Sequence, residues 1–344
     1  MNVYSTSGAL QSSFATAGAT IIAMDNAGNV YANVIPNLNS FAHGTVVRYA
    51  IGANTPNANY TPALAGDSFF GLWGSPPGTI MSPEANWSST VTSVTWDIWN
   101  PGASGAPSHS FTHSSTITDP LQGTLGPDGT AVIPYYDNGN NVIKYDIILP
   151  GSGTLSRTVS ESLVPGSGFS PNVMALASDG TLYVGEFNKS NANDPNAGLY
   201  IYPATLPGSG TETRVGTGSL FPTGIDFDVA GNVYVLSSNW QGPSFGPPTV
   251  NRLDVYTHTG SPIRSISGGG ISNGQGLTVA ADGTAYIVEF PDVTGTTGLL
   301  GVISPTATSI TQIVSGIDIE NVVLYNGSVA TLGRHVHGSG GSAR

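Results

Sequence analysis

Three glutamates stand at equivalent places in a sequence that carries few charges. Glu84, Glu186 and Glu289 each follow a glycine by six residues, and those glycines belong to turns that recur along the chain. Three carboxylates that converged on one opening would suit Ca²⁺, which takes hard oxygen ligands. The alternative is that each carboxylate makes a structural hydrogen bond at the end of its strand.

The elements that must position these glutamates are seven predicted hairpins. Their glycines lie 44 to 52 residues apart, and each is followed at once by Asn, Ser or Thr: Gly28, Gly78, Gly129, Gly180, Gly231, Gly283 and Gly327. Apolar residues alternate around the Asp179-Gly180 pair, which predicts a two-residue turn with φ > 0 at both positions. A second pair of strands follows each of the first six hairpins, and four antiparallel strands per repeat of about 50 residues are typical of a β-propeller blade.

The two ends of the chain are predicted to share one blade. The last hairpin, Ile319 to Leu332, has no outer strand pair after it, while Asn2 to Gly8 repeats the pattern of Asp254 to Gly260. An N-terminal pair of strands would close the ring and leave no unpaired inner edge. We therefore predict an all-β, seven-bladed β-propeller with four antiparallel strands per blade, in which the last blade is closed by the N-terminal strands.

This propeller is predicted to form a single domain over residues 1–337. Its last blade would combine roughly residues 1–18 with roughly residues 317–335, and the Gly- and Ser-rich residues 338–344 are predicted to form a flexible tail. The second repeat is the most degenerate, because its turn is Pro77-Gly78 and its strands carry Trp73, Trp96 and Trp99.

The run Gly231 to Val235, Gly-Asn-Val-Tyr-Val, with Asn251-Arg252-Leu253 downstream, resembles the NHL-repeat propellers. More loosely, the chain resembles gluconolactonase-like and streptogramin-lyase-like propellers. The NHL resemblance implies a structural role for the three glutamates, because such repeats usually carry an Asp there that ties the strand end to the neighbouring link. The fold alone does not imply an activity.

Asn172 matches in place an asparagine that resembles a metal ligand of the gluconolactonase-like enzymes. Where that family has an acid in the next blades, this chain has Thr223 and Gln275. The streptogramin-lyase-like variant needs a histidine among carboxylates on the same face. His109 and His113 fall in a predicted outer strand instead, so the sequence favours binding over catalysis, with no catalytic residue assigned.

Aromatic side chains next to amides and acids are the other candidate site residues. On the face where the links open around the central channel, Tyr135 and Tyr136 precede Asp137-Asn138-Gly139-Asn140-Asn141, Phe187 precedes Asn188, and Trp240 and Phe245 lie in the longest link. Flat aromatic rings beside such groups can hold a sugar ring or form a protein-binding hot spot, and they can equally pack the links onto the blades.

The amino-acid composition argues against nucleic acid and anionic membranes as partners. With 21 acidic residues against 9 Lys plus Arg and a net charge of −12, the chain lacks the cations that bind nucleic acid or anionic membranes. There is no cysteine and no apolar run of membrane-spanning length. A surface of Asn, Ser, Thr and Gly favours an extracellular or cell-surface location, with any signal peptide outside this chain.

These observations lead to three hypotheses. The first is a non-catalytic recognition or assembly module that binds a glycan or a protein on the channel-mouth face, without a cofactor. The second is a Ca²⁺-dependent lactonase or lyase of the gluconolactonase-like group. The third is a self-associating structural subunit of an extracellular assembly, paired through an outer strand at the N-terminus.

Overall fold

The computed structural model describes most of the strands and many of the turns. The described residues are 2–13, 19–34, 45–50, 53, 55–64, 68–69, 71–85, 93–114, 123–137, 140, 142–161, 169–188, 196–204, 213–217, 220–239, 249–289, 298–317, 321–325 and 328–332. They form strands and turns and contain no helix, so the all-β prediction is confirmed. Within these ranges, no helical segment has the length and hydropathy needed to span a bilayer.

Six blades of four antiparallel strands make up most of the molecule. Blade 1 consists of β3 (Ala19–Met24), β4 (Val30–Val34), β5 (Thr45–Tyr49) and β6 (Ala58–Tyr60). Blade 2 consists of β12 (Thr124–Leu125), β13 (Ala131–Asp137), β14 (Val142–Ile148) and β15 (Leu155–Ser160). Blade 3 consists of β16 (Phe169–Leu176), β17 (Leu182–Asn188), β18 (Gly198–Tyr202) and β19 (Thr213–Gly216). Blades 4 and 5 consist of β20 (Phe221–Phe227), β21 (Val233–Ser238), β22 (Asn251–Tyr256) and β23 (Pro262–Ser267), and of β24 (Gly274–Val279), β25 (Ala285–Glu289), β26 (Gly298–Ile303) and β27 (Thr311–Ile317). Blade 6 joins β1 (Asn2–Ser5) and β2 (Leu10–Ser13) to β28 (Asn321–Tyr325) and β29 (Ser328–Leu332).

The prediction of seven four-stranded blades is wrong, because the structure shows six. The second repeat forms a five-stranded sheet instead, from β7 (Ser68–Phe69), β8 (Trp73–Gly74), β9 (Ile80–Ala85), β10 (Ser93–Trp99) and β11 (His109–Ser114). Two short strands, β7 and β8, share the inner edge of β9. Pro83 lies between the two pairings and has no N–H to donate to an inner strand, and the Gly71 carbonyl instead accepts the Ser82 hydroxyl at 2.6 Å.

The predicted pairing of the two chain ends is present in blade 6. Strand β1 runs antiparallel to β29, with Val3 opposite Ala330 and Ser5 opposite Ser328. The β1–β2 turn also matches the β22–β23 turn atom by atom. Ser5 Oγ lies 2.8 Å from Ser7 Oγ and accepts the Ala9 N–H at 3.0 Å. In the other turn, Thr257 makes the same two contacts with Thr259 and Ser261, each at 3.0 Å.

The inner hairpins are longer than predicted. The N–H of Gly180 donates to the carbonyl of Ala177, and the N–H of Ala177 donates to the carbonyl of Thr181, so three residues form the loop. Only the glycine has a positive φ, at 85°, which corrects the expectation of two such residues. This turn of three residues ending in a left-handed glycine is the second common hairpin type. The glycines of the other described inner hairpins adopt the same conformation.

The hydrophobic core lies between neighbouring blades. One buried cluster joins Val132, Tyr145 and Val159 of blade 2 to Met174 and Val184 of blade 3. The inner strands contact one another in order, from β28 through β3, β8, β12, β16, β20 and β24 back to β28, and so close the ring. Each β-sheet buries both faces in this way, which explains how short apolar runs suffice for a large core.

Candidate functional site

Four inner strands carry a bulge at the same place. The register shifts between Ala19 and Ile21 in β3, between Pro171 and Val173 in β16, between Pro222 and Gly224 in β20, and between Gly274 and Gly276 in β24. A bulge leaves one residue out of the ladder and redirects its side chain. The residues left out are Thr20, Asn172, Thr223 and Gln275, which include all three positions that the gluconolactonase-like resemblance singled out.

Two of the four bulge residues bond to the next blade, and the side chain of a third, Thr20, lies outside the described residues. The Asn172 amide donates to the carbonyl of Pro222 at 2.5 Å, and the Thr223 hydroxyl donates to the carbonyl of Gly274 at 2.9 Å. In both cases the acceptor is the residue just before the bulge of the following inner strand. The Asn172 and Thr223 side chains therefore join adjacent inner strands, while the Gln275 side chain lies outside the described residues.

The three glutamates are fully buried and have separate partners. Glu84 accepts the N–H of Leu64 at 3.0 Å, and Leu64 belongs to the link that enters the same sheet. Glu289 accepts the Ser272 hydroxyl at 3.3 Å, again from the incoming link. The Tyr145 hydroxyl of blade 2 donates to Glu161 and lies 3.2 Å from Glu186 Oε1. Among the described residues, no group of three or more acidic or histidine side chains is arranged to hold a metal ion.

Burial alters the ionisation of two acids in blades 4 and 5. Loss of solvation raises the pKa of Glu289 to about 7, against the opposing effect of its hydrogen bonds with Ser272. The other carboxylate oxygen of Glu289 has no hydrogen-bond partner among the described residues. Burial also raises the pKa of Asp226 to about 6, although Asp226 accepts the N–H of Val279 in the next blade at 2.7 Å.

The predicted aromatic residues are only partly described. Tyr136 is half-buried and packs against the apolar cluster between blades 2 and 3. Phe187 lies in β17 opposite Ser170, but its side chain is outside the described part of the structure. Trp240 and Phe245 lie entirely outside the described residues. The neighbouring Tyr135 points to the other face of β13, because successive side chains alternate along a strand.

Tyr135 stacks on His113 at the junction of the five-stranded sheet and blade 2. The two rings are parallel within 3°, with centroids 4.1 Å apart. His113 Nε2 lies 3.5 Å from Asp146 Oδ2, and the Thr158 hydroxyl donates to Asp146 Oδ1 at 2.6 Å. Burial lowers the pKa of His113, and the Asp146 charge opposes this shift.

A second polar group adjoins the stacked rings. Lys144 is the cross-strand partner of Tyr135, and its ammonium lies 2.5 Å from Asp137 Oδ2. The Asn140 amide donates to the same oxygen at 2.7 Å. We call this group of side chains the seam; its members are His113, Tyr135, Asp137, Asn140, Lys144 and Asp146.

The sequence placed Tyr135, Asp137 and Asn140 among the candidate binding residues, but it did not join them to His113. His113 does lie in an outer strand, β11, as predicted, and that position suggested a place remote from any site. Sheets twist, so the outer strand of one sheet leans across the face of the next. A signal was present in the alternation of β11, where His109, Phe111 and His113 are partly buried and the residues between them are exposed.

Comparison with solved structures supports the fold. The chain is similar to the propeller of Dos1, with a TM-score of 0.56 and 7% identity over 96% of this chain and 94% of that one. It is also similar to an uncharacterised protein, lmo1340, from Listeria monocytogenes, with a TM-score of 0.56 and 12% identity over 95% and 98% of the two chains.

A third match is the β-propeller domain of the Trilobed protease from Pyrococcus furiosus, with a TM-score of 0.57 and 12% identity over 90% of this chain and 89% of that one. At such identities these likenesses show the fold alone. This chain is a β-propeller. Neither the family models nor the curated proteins that were compared match it, and the NHL-like and gluconolactonase-like resemblances receive no support.

Proposed function

We propose that this β-propeller is a non-catalytic recognition module. The observation that carries the proposal is that the side chains of Asn172 and Thr223 donate hydrogen bonds to carbonyls of the next blade. Residues engaged in this way support the ring and are not arranged around a reacting group. The gluconolactonase-like hypothesis placed its metal ligands at these same positions.

The remaining polar and aromatic groups favour binding. The seam presents two half-buried rings beside a carboxylate, an amide and an ammonium, and these groups can pack against a ligand and hydrogen-bond it. An extracellular or cell-surface location belongs to the same proposal. It is supported by a chain with only two lysines, whose polarity comes mainly from Asn, Ser, Thr and Gly.

The test combines binding with activity. The fluorescently labelled chain is applied to an oligosaccharide array and to immobilised extracellular proteins, and lactone hydrolysis is assayed with and without Ca²⁺. The proposal expects saturable binding and no Ca²⁺-dependent hydrolysis. Hydrolysis that requires Ca²⁺ and is lost in Glu186→Gln, with folding retained, would replace the proposal by the enzymatic hypothesis.

A further inference from the structure

We propose that the seam is a carbohydrate-binding site that takes a neutral, hydroxyl-rich sugar ring against Tyr135 and His113. This inference rests on the proposed recognition function, to which it gives a place and a ligand class. The sequence pattern selected Tyr135, Asp137 and Asn140 as one stretch, but it did not join them to His113, which belongs to a strand of a different sheet.

The aromatic pair has a fixed orientation in which each ring covers one face of the other, so the opposite ring faces are the flat apolar surfaces that this proposal assigns to a sugar. His113 and Tyr135 are each half-buried, and their parallel stacking at 4.1 Å limits the rotation of both rings. The C–H groups on one side of a pyranose ring pack well on such a surface, while its hydroxyls point outward. Since the rings are already ordered, binding loses little side-chain entropy.

Polar groups of both kinds border this surface. Asp137 can accept hydrogen bonds, Lys144 can donate them, and Asn140 can do both. These three side chains hold one another, since Lys144 and Asn140 both contact Asp137 Oδ2. Asp146 is buried beside the His113 ring and is held there by the Thr158 hydroxyl. A sugar hydroxyl needs such an alternation of donors and acceptors, held in position beforehand.

The charge of the seam favours a neutral ligand. Asp137 and Asp146 contribute two negative charges, and Lys144 contributes one positive charge. Burial lowers the pKa of His113, so its ring is neutral at neutral pH. Anionic ligands such as phosphates would therefore meet a net negative field.

A protein partner is less well matched to this surface. Protein-binding hot spots combine aromatic anchors with a sizeable apolar patch. The large apolar side chains that are exposed in the described residues all lie outside the seam: Leu10, Leu64, Leu149, Leu155, Val229, Val250 and Ile263. The seam is thus a polar–aromatic surface without the apolar patch that a protein partner would need.

Ligand-observed NMR on the full chain tests the proposal. The probes are the methyl glycosides of glucose, galactose, mannose and N-acetylglucosamine, each examined for saturation transfer from protein to ring C–H protons. We expect at least one probe to bind, and Tyr135→Leu to weaken it by about tenfold, because the leucine keeps bulk but removes the ring. Tyr135→Phe retains the ring and should bind as the parent does.

Matched controls separate the site from the function. His258→Ala removes an exposed histidine on the turn after β22 and should leave sugar binding unchanged, and thermal unfolding confirms that each variant is folded. Sugar binding that survives both Tyr135→Leu and His113→Ala would overturn the site, although the recognition function would stand. Binding of a protein but of no glycoside would overturn the ligand class. Lactone hydrolysis would overturn the recognition function and, with it, the proposed carbohydrate site.

Discussion

The junctions between blades 3, 4 and 5 and the seam beside blade 2 both join neighbouring sheets, but they use polar side chains differently. At the regular junctions, Asn172 and Thr223 each donate to one carbonyl of the next inner strand. In the seam, two half-buried rings stack on each other, and side chains hold the half-buried carboxylate of Asp137 and the buried carboxylate of Asp146. The first kind of contact is repeated from blade to blade, and the second occurs where the repeat is irregular.

This difference shows that the repeated positions and the irregular sheet have different roles in this protein. Each blade must be held to the next, so positions fixed by the repeat serve inter-blade packing. A ligand needs one place, and the irregular five-stranded sheet provides a surface that no other described junction shares. The predictions below test whether the regular junctions control stability and the seam controls binding.

The largest expected effect is on the pH dependence of stability. The pKa of Glu289 rises from 4.5 to about 7 on folding because the group is buried. The Glu289 carboxyl therefore binds its proton more tightly in the folded state than in the unfolded state. The contribution of this proton to the free energy of unfolding is complete below about pH 4.5 and is lost as the pH rises through 7. Above that range Glu289→Gln should be more stable than the parent by up to about 3 kcal/mol.

Urea unfolding of Glu289→Gln and the parent across this pH range measures the difference. Asp226, whose pKa is raised to about 6, contributes a dependence of the same sign in both proteins. The free energy of unfolding of Glu289→Gln should thus still decline as the pH rises, but less steeply than that of the parent. Parallel curves for the two proteins would contradict the assignment to Glu289.

The second prediction tests the close approach of blades 4 and 5. A Cβ on Gly224 would lie 2.6 Å from Leu277 Cβ of the next inner strand. Gly224→Ala should lower the free energy of unfolding by about 3 kcal/mol, because the two inner strands must move apart. Gly216→Ala is the matched control, since only the end of the flexible Arg214 side chain comes within 4 Å of the added methyl; an equal loss in both would contradict this account.

The third prediction concerns the inter-blade hydrogen bond of Asn172. Asn172→Ala leaves the carbonyl of Pro222 without this donor and should cost about 1.5 kcal/mol of stability. Asn172→Asp should cost more at neutral pH, because a carboxylate would face the carbonyl oxygen. Chemical denaturation measures both, and ligand binding should be unchanged. Stability equal to that of the parent in both variants would show that the bond contributes nothing.

The smallest expected effect is that of the seam on stability. Tyr135 is half-buried and its ring stacks on the His113 ring. Tyr135→Leu should therefore lower the free energy of unfolding by less than about 1 kcal/mol. A loss as large as that of Gly224→Ala, in the same denaturation assay, would assign the stacked pair to the core.

Features set by local chemistry could be predicted from the sequence. The glycines of the six described inner hairpins do adopt positive φ, because a left-handed turn position excludes most other residues. The match of Asn2 to Gly8 with Asp254 to Gly260 also correctly identified a strand pair and its turn. Both signals lie within a few consecutive residues.

Features that depend on neighbouring sheets could not be predicted. The bulge at Asn172 redirects its side chain towards the next blade, and the repeat pattern shows only that the position recurs. The split inner edge beside Pro83 follows from one missing N–H opposite two short strands. The stacking of His113 on Tyr135 requires the twist of a sheet and a contact between residues of different repeats.

The most direct test of the account measures stability and glycoside binding together for Asn172→Ala and Tyr135→Leu. The account predicts that Asn172→Ala unfolds at lower urea concentration and binds the glycoside as the parent does, whereas Tyr135→Leu unfolds nearly as the parent does and binds about tenfold more weakly. Loss of binding in Asn172→Ala, with binding retained in Tyr135→Leu, would contradict it.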